Sequence, residues 1–392
     1  MSQPSPTPDP SLAEIALAFL KLGTIAFGGP AAHLAMMEEE FVHRRKWITE
    51  EQFLDRLATA NLIPGPSSTE VAIFIGHLKR GWRGLIVAGV CFIIPAALIV
   101  SAIACAYVRF GSLPRAQGVL YAIKPVVVAI VIQALGRLSR TALRTPLLAV
   151  IALFAAGITL LGVSPVLVLV LAGALSAAAL GMKGRLLGAS VFTWPKLFAS
   201  TTVRATLSCA AILTATAVAA PIGLLRLFLS FLKIGSVVFG SGYVLLAFLQ
   251  SEFVEHSHWL TYPQLLDAVA VGQFTPGPVF TTATFIGYVV AGWKGAIVAT
   301  LGIFLPGFVL VALSGPMIPR LRQSPVFAAA LDGVVAGSLA LMAVVTWQLG
   351  KASVVDWTTL AILGAALIAL LRFRVNSAWL IAAAAVVGWM LR

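Results

Sequence analysis

Apolar runs separated by short clusters of charge dominate the chain. They predict helices over roughly 12–29, 84–107, 116–136, 146–162 and 165–181, and again over 224–241, 295–315, 326–347, 358–371 and 377–391. Most are long enough to cross a bilayer core, which takes about 20 residues at helical rise. The two shortest, near the C-terminal end, are expected to stand near-perpendicular to the membrane or to lie partly in its interface. Residues 31–55 and 243–267 mix polar and apolar positions and predict amphipathic helices at the membrane surface. Residues 56–78 and 268–290 are each broken by Pro-Gly-Pro. A proline removes a helix donor and restricts the residue before it, so two around a glycine interrupt a helix. Each segment is therefore a broken span or a re-entrant hairpin whose tip lies in the membrane. Irregular backbone at that depth is tolerated only where protein or a water-filled cavity satisfies it.

The pattern occurs twice. Residues 19–66 and 231–278, aligned 212 positions apart without a gap, match at 20 of 48 positions. Shared residues include Phe19-Leu20-Lys21 with Phe231-Leu232-Lys233, Glu40-Phe41-Val42 with Glu252-Phe253-Val254, and Pro64-Gly65-Pro66 with Pro276-Gly277-Pro278. The match continues one residue out of step, through Phe74-Ile75-Gly76 and Gly81-Trp82 with Phe285-Ile286-Gly287 and Gly292-Trp293. A repeat this long is a structural duplication. Duplicated hydrophobic segments broken by Pro and Gly at matching places point to a secondary transporter. The fold class expected is an all-α polytopic membrane protein built from two homologous repeats of inverted topology. Residues 1–11 read as a disordered tail, 12–182 as the first repeat, 183–222 as a linker and 223–392 as the second repeat. Within the linker, residues 205–220 form an apolar piece that either crosses the membrane or does not. Re-entrant hairpins with a non-crossing 205–220 give the cleaner excess of Lys and Arg on one side.

Composition narrows the class. Sixty per cent of the 392 residues are apolar, 10% are charged and mean hydropathy is +0.99, more apolar surface than a soluble domain can hide. The net charge of +13 sits between hydrophobic segments, where loop cations orient a membrane protein, and not on a nucleic-acid-binding module. Cys91, Cys105 and Cys209 form no CxxC, so neither disulfides nor a thiolate metal site are expected. His256-x-His258 has too few ligands for a metal centre. No nucleophile triad, Walker loop or dinucleotide fingerprint occurs, and neither an enzyme nor a cofactor is expected.

The candidate chemistry lies at repeated positions. Lys21 and Lys233 each stand about halfway along the first helix of a repeat. A lysine there faces a cavity or a partner, or else snorkels or pairs with a carboxylate. The functional reading is that the two bind an anion near the pseudo-two-fold axis. Pro64, Gly65 and Pro66 are followed by Ser67, Ser68 and Thr69; Thr275, Pro276, Gly277 and Pro278 are followed by Thr281 and Thr282. A helix restarting after such a break offers free N–H groups and a positive dipole end, and hydroxyls add donors. That suits a tetrahedral oxyanion; a helix break capped by Ser and Thr would need no ligand. Asn61 and Gln273 precede the breaks in register and could each donate an amide. Phe27-Gly28-Gly29 and Phe239-Gly240-Ser241 end the first helices, where capping or close packing is an alternative to substrate contact. Glu70 and Asp332 are candidates to carry a coupled proton, with ion pairing as the alternative; Lys124 is a further ionisable residue in an apolar stretch.

With Phe27-Gly28-Gly29-Pro30, Pro64-Gly65-Pro66, Gly81-Trp82-Arg83-Gly84 and their second-half counterparts, the chain resembles the chromate ion transporter family, of the two-domain, long-chain type. The resemblance covers both repeats. It implies a multi-pass protein of the bacterial inner membrane that exports chromate, with sulfate as the look-alike anion, and so confers chromate resistance. The implied partners are chromate and the lipid bilayer, with a homodimer left open and nucleic acid not among them. Gly240-Ser241-Gly242 departs from the Gly-Gly-Pro of the first copy, so the halves need not contribute equally. A transporter of another anion, or a membrane scaffold whose charges are structural, are the alternative readings.

Overall fold

The computed structural model describes residues 9–27, 29–186, 223–239, 242, 244–322, 324–373 and 375–391, without the side chains of 182–186, 314–322 and 391. Among the described residues the chain is all helix. In the first half these are α1 (Leu12–Ile25), α2 (Gly29–Glu38), α3 (Glu50–Ala60), α4 (Ser67–Phe110), α5 (Pro114–Ala142), α6 (Pro146–Leu160) and α7 (Pro165–Leu186). The second half repeats them as α8 (Leu224–Val237), α9 (Leu245–Leu249), α10 (Tyr262–Phe274), α11 (Thr282–Arg322), α12 (Pro325–Ser353), α13 (Trp357–Arg372) and α14 (Ser377–Leu391). Residues 205–220 lie outside the described residues.

Local signals repeat with the sequence. Thr49 and Gln52 form a reciprocal capping box at the start of α3, and Thr261 and Gln264 form the same box at the start of α10. Such a box satisfies two otherwise orphaned backbone donors and fixes where the helix begins. The long helices α4 and α11 each fold back on themselves at one glycine. Gly81 has φ 56° and ψ −142°, and Gly292 has φ 61° and ψ −152°, a region only glycine occupies at low cost. The arms then pack glycine to glycine: a methyl group on Gly76 would meet the Gly84 carbonyl at 2.3 Å, and one on Gly287 would meet that of Gly295 at the same distance.

Contacts fix where these arms go. Lys79 pairs with Asp9, Arg80 donates to the carbonyl of Pro10, and Arg45 lies within electrostatic reach of Glu14. The start of α1, the end of the α2 arm and the Gly81 turn therefore share one side of the molecule. From that side α1 runs in and α2 returns, then α3 runs in and residues 67–80 return. These are two re-entrant hairpins, the second with Pro64-Gly65-Pro66 at its tip. Residues 82–110 then run on to the other side, long enough at about 1.5 Å per residue to cross a ~30 Å hydrocarbon core. The second repeat opens the opposite way. Tyr288, just before the Gly292 turn, contacts Cys105 and lies near Arg109, at the far end of α4, and Phe285 packs on Tyr107. The repeats are inverted.

Among the described residues, four helices, Ser67–Phe110, Pro114–Ala142, Val279–Leu313 and Pro325–Ser353, are long and apolar enough to cross a membrane. The halves interlock: α13 and α14 pack on α5 of the first half, while α6 and α7 pack on α12 of the second. One expectation is corrected here. The segments 31–55 and 243–267 are not single amphipathic surface helices. Each begins as a return arm wound partly as π-helix (Glu39–Arg44 and Gln250–His256), turns near Trp47 or Trp259, and re-enters as α3 or α10; the first arm is partly exposed and the second is largely buried. Leu245–Leu249 is buried on every side. Partners cover its whole circumference, so it has no solvated face.

Candidate functional site

The two Pro-Gly-Pro tips lie inside the protein, each held by the opposite repeat. The Gly65 amide donates to the carbonyl of Val238 at 2.8 Å, and the Gly277 amide donates to that of Ala26 at 2.9 Å. Ala26 and Val238 are the C-caps of α1 and α8, whose last carbonyls lack intrahelical donors. The second tip touches α4 at Ala96, midway along residues 82–110: a methyl on Gly277 would meet the Ala96 Cβ at 2.6 Å. The first tip has the mirrored neighbour, Gly307 of α11, which faces Glu70. Both tips are therefore near mid-depth. The glycines are needed there, because Gly65 has φ +139° and Gly277 has φ +88°.

Beyond the first tip, α4 starts at Ser67 with Pro66 as its N-cap residue and no side-chain cap. Ser68 is buried and donates its hydroxyl to Nδ1 of His33, whose Nε2–H donates to the carbonyl of Ala26 at 3.0 Å. Thr69 and Glu70 are 1% and 0% exposed. Thr69 Oγ1 and both carboxyl oxygens of Glu70 have no hydrogen-bond partner among the described residues. Unpartnered buried polar atoms are costly and uncommon in native structures.

The second tip is chemically quieter. The repeat is one residue shorter here, and Val279–Thr281 winds into a 3₁₀ turn before α11 begins. The hydroxyls of Thr281 and Thr282 turn back onto the carbonyls of Pro278 and Val279, and that of Thr275 onto Val271. Gln273 and Thr282 line a cavity of about 10 Å³ together with Gly242 and Leu245, room for about one water. Asn61, the counterpart of Gln273, is exposed. Phe27 is 42% exposed and Phe239 half-buried, while Gly29 is buried at the start of α2 with φ +79°. Gly28, Gly240 and Ser241 lie outside the described residues.

The lysines do not form a matched pair. Lys233 donates to Glu252 at 3.0 Å, and Ser230 donates to the same carboxylate at 2.9 Å. In the first repeat the equivalent Glu40 is bonded by Arg44 at 2.9 Å and by Arg45 at 2.6 Å, leaving Lys21 exposed on the outward stripe of α1 with Leu17 and Ile25. The difference traces to two positions: Arg44 and Arg45 are replaced by His256 and Ser257, which cedes Glu252 to Lys233. Asp332 is exposed on α12.

Two features were missed in the sequence. His33 stands where the second repeat has Leu245, and that difference between copies was the available signal. Asp267, 3% exposed on α10, pairs with Lys124 of α5 at 3.4 Å and accepts from the Tyr107 hydroxyl of α4 at 3.0 Å. Its repeat mate Asp55 is largely exposed beside Arg56; the recurrence of Asp at the two matched positions was the available signal.

A family model described as chromate transporter matches residues 13–179 and 225–389. The chain is 33% identical to a chromate transport protein of Cupriavidus metallidurans, over 97% of this chain and 93% of that one. It is 32% identical to a probable chromate transport protein of Synechococcus elongatus, over 90% and 88% of the two chains. It is also 28% identical to a chromate transport protein of Pseudomonas aeruginosa, over 98% and 93%. No solved structure matches the chain.

Proposed function

The chain belongs to the chromate transporter family, and we propose that it exports chromate from the cytoplasm across the bacterial inner membrane. The observation that carries this reading is the start of α4. A helix N-terminus, a buried free Thr69 hydroxyl and a Pro-Gly-Pro tip meet at mid-depth, where a second tip approaches from the opposite side. First-turn amides and the dipole end favour an anion, and four oxygens accept several such donors. The amides of Ser67 and Ser68 and the Thr69 hydroxyl are the donors on the first side; on the second side the Thr281 and Thr282 hydroxyls are held by Pro278 and Val279, so the halves contribute unequally. Residues 12–182 and 223–392 act as the two repeats, joined by the 183–222 linker.

The side bearing the Gly81 turn carries Lys79, Arg80 and Arg83, and α5 returns to it with Arg137, Arg140 and Arg144. The opposite side has Arg109, Arg115, Arg226, Lys294 and Lys351. By the positive-inside rule the Gly81 side is cytoplasmic. A dianion leaving a cell at ~150 mV, negative inside, moves down the electrical gradient and gains about 7 kcal/mol at about 2.3 kcal/mol per charge per 100 mV. That is a concentration ratio on the order of 10⁵, so membrane potential suffices as the driving force.

The test is chromate uptake into inverted membrane vesicles at a clamped potential, with sulfate as competitor. Potential-dependent chromate uptake supports the reading. Sulfate uptake at equal or greater rate reassigns the substrate, and no flux of either anion supports the scaffold alternative.

A further inference from the structure

Glu70 stands in the first turn of α4, beside the donors that would hold the anion. Its carboxyl folds back over the tip: a methyl group on Gly65 would lie 2.3 Å from Oε1, and the Gly307 methyl position is 3.9 Å from the Glu70 Cγ on the other side. The group is fully buried between a tip of one repeat and a spanning helix of the other, and neither oxygen has a partner. A carboxylate and an oxyanion at one helix end repel, and at a buried site of low dielectric the repulsion is weakly screened. The protonated carboxyl is instead a donor and adds to the donors of Ser67, Ser68 and Thr69.

Among the described residues, the surrounding elements offer Glu70 no other charge. On α2, His33 is committed to Ser68 and Ala26. On α1, Glu14 and Lys21 face outward, and on α3, Asp55 and Arg56 stand together. On α10, Asp267 is bonded to Lys124 and Tyr107, and on α8, Lys233 is bonded to Glu252. Tyr288 and Lys294 of α11 lie out at the Gly292 turn, with Tyr288 against Cys105. Within α4, His77 packs on Trp82 and Lys79 and Arg80 bond Asp9 and Pro10, all at the Gly81 turn. The counterpart of Glu70 in the second repeat is Thr281 or Thr282, so the chain has one such carboxyl and not two.

Resting on the anion-transport reading above, we propose that Glu70 is a proton site and that proton and oxyanion bind the α4 N-terminus together. Binding of the anion draws one proton onto the Glu70 carboxylate from the open side, and both leave on the other. The two ligands are coupled in the same sense, as in a symporter, and a dianion crosses with a net charge of minus one, so membrane potential drives it with half the force it exerts on the bare dianion.

The test is chromate binding to the purified full-length protein in detergent by calorimetry, in buffers of differing ionisation heat. The pH is kept alkaline enough that chromate is fully a dianion. One proton should be taken up per chromate, and affinity should fall about tenfold per pH unit. Glu70→Gln supplies a neutral donor in place of the acid and should bind without proton uptake and without pH dependence. Thr69→Val should weaken binding while leaving the pH slope unchanged. Wild-type binding with no proton uptake overturns the proposal, as does an unchanged slope in Glu70→Gln. If that variant does not fold, the wild-type proton count alone decides. A wild-type protein that binds no chromate at any pH overturns the transport reading itself, and this inference with it.

Discussion

Gly65 donates its amide to Val238 across the boundary between repeats, at 2.8 Å. Shifting both partners by 212 residues gives Gly277 donating to Ala26, at 2.9 Å. The same bond made twice, in opposite directions, ties each re-entrant tip to the helix end of the other half. Two consequences follow. The tips cannot move independently of α1 and α8, and the conformations of the two halves are coupled through backbone, which side-chain substitution alone does not remove.

The second tip offers a direct probe of that coupling. A methyl on Gly277 would stand 2.6 Å from the Ala96 Cβ, at a residue with φ +88°. Gly277→Ala should reduce chromate flux at least tenfold, equivalent to about 1.4 kcal/mol. Ala96→Gly in the same chain removes the clash but not the backbone strain, so rescue should be partial. Full rescue would show that the left-handed conformation is unimportant; no rescue would show that Ala96 is not the obstacle.

The lysines separate into a structural and a free group. Lys233→Met strands the Glu252 carboxylate with only Ser230 and should cost about 1.5–3 kcal/mol of stability, the range for a hydrogen bond to a charged group. Glu252→Gln added to it should restore abundance. Lys21→Met breaks no bond and should insert at parental levels. Thermal unfolding in detergent and membrane abundance check both, and equal losses in the two single variants would contradict the difference read from Glu40 and Glu252.

Repetition made the architecture legible, and divergence between copies hid the chemistry. Phe27, Pro64-Gly65-Pro66 and Gly81-Trp82 recur at fixed offsets, and this exposed the duplication and the helix breaks before any coordinates. Inversion followed from the crossings in each half, and loop charge favoured re-entrant hairpins because cations then accumulate on one side. The π-wound return arms were not readable, since their polar residues, Glu40 and Glu252, are largely buried and pair with side chains of the protein. Glu70 was visible as an acid one turn past a break. Asp267 was not, because its partners come from α4 and α5, which are far away in sequence and have no equivalents in the other half.

Asp267, Lys124 and Tyr107 join three elements and both repeats. Removing one member of a buried ion pair costs about 3–5 kcal/mol, whereas removing both is often close to neutral. Lys124→Met and Asp267→Asn should each lower the unfolding midpoint, and the double variant should recover most of the loss. Tyr107→Phe should cost less, because the ion pair survives it. Additive losses in the double variant would show that the contact does not contribute to stability.

The inverted arrangement predicts opposite exposure of two matched surface positions. Arg83 follows the Gly81 turn and Lys294 follows the Gly292 turn, at equivalent places in the repeats. Both side chains are exposed. The first turn is tied to the start of α1 through Lys79–Asp9 and Arg80–Pro10, the second to the far end of α4 through Tyr288 and Cys105. Single cysteines at these positions, in a chain whose Cys91, Cys105 and Cys209 are replaced by serine or alanine, should therefore react from opposite sides. With the basic Gly81 side in the cytoplasm, a membrane-impermeant maleimide added to intact spheroplasts should label Lys294→Cys. It should label Arg83→Cys only after permeabilisation. The reverse pattern would keep the inversion and flip the orientation. Labelling of both from the same side would falsify the inverted repeat, because no rotation within the membrane plane could then superpose the two turns.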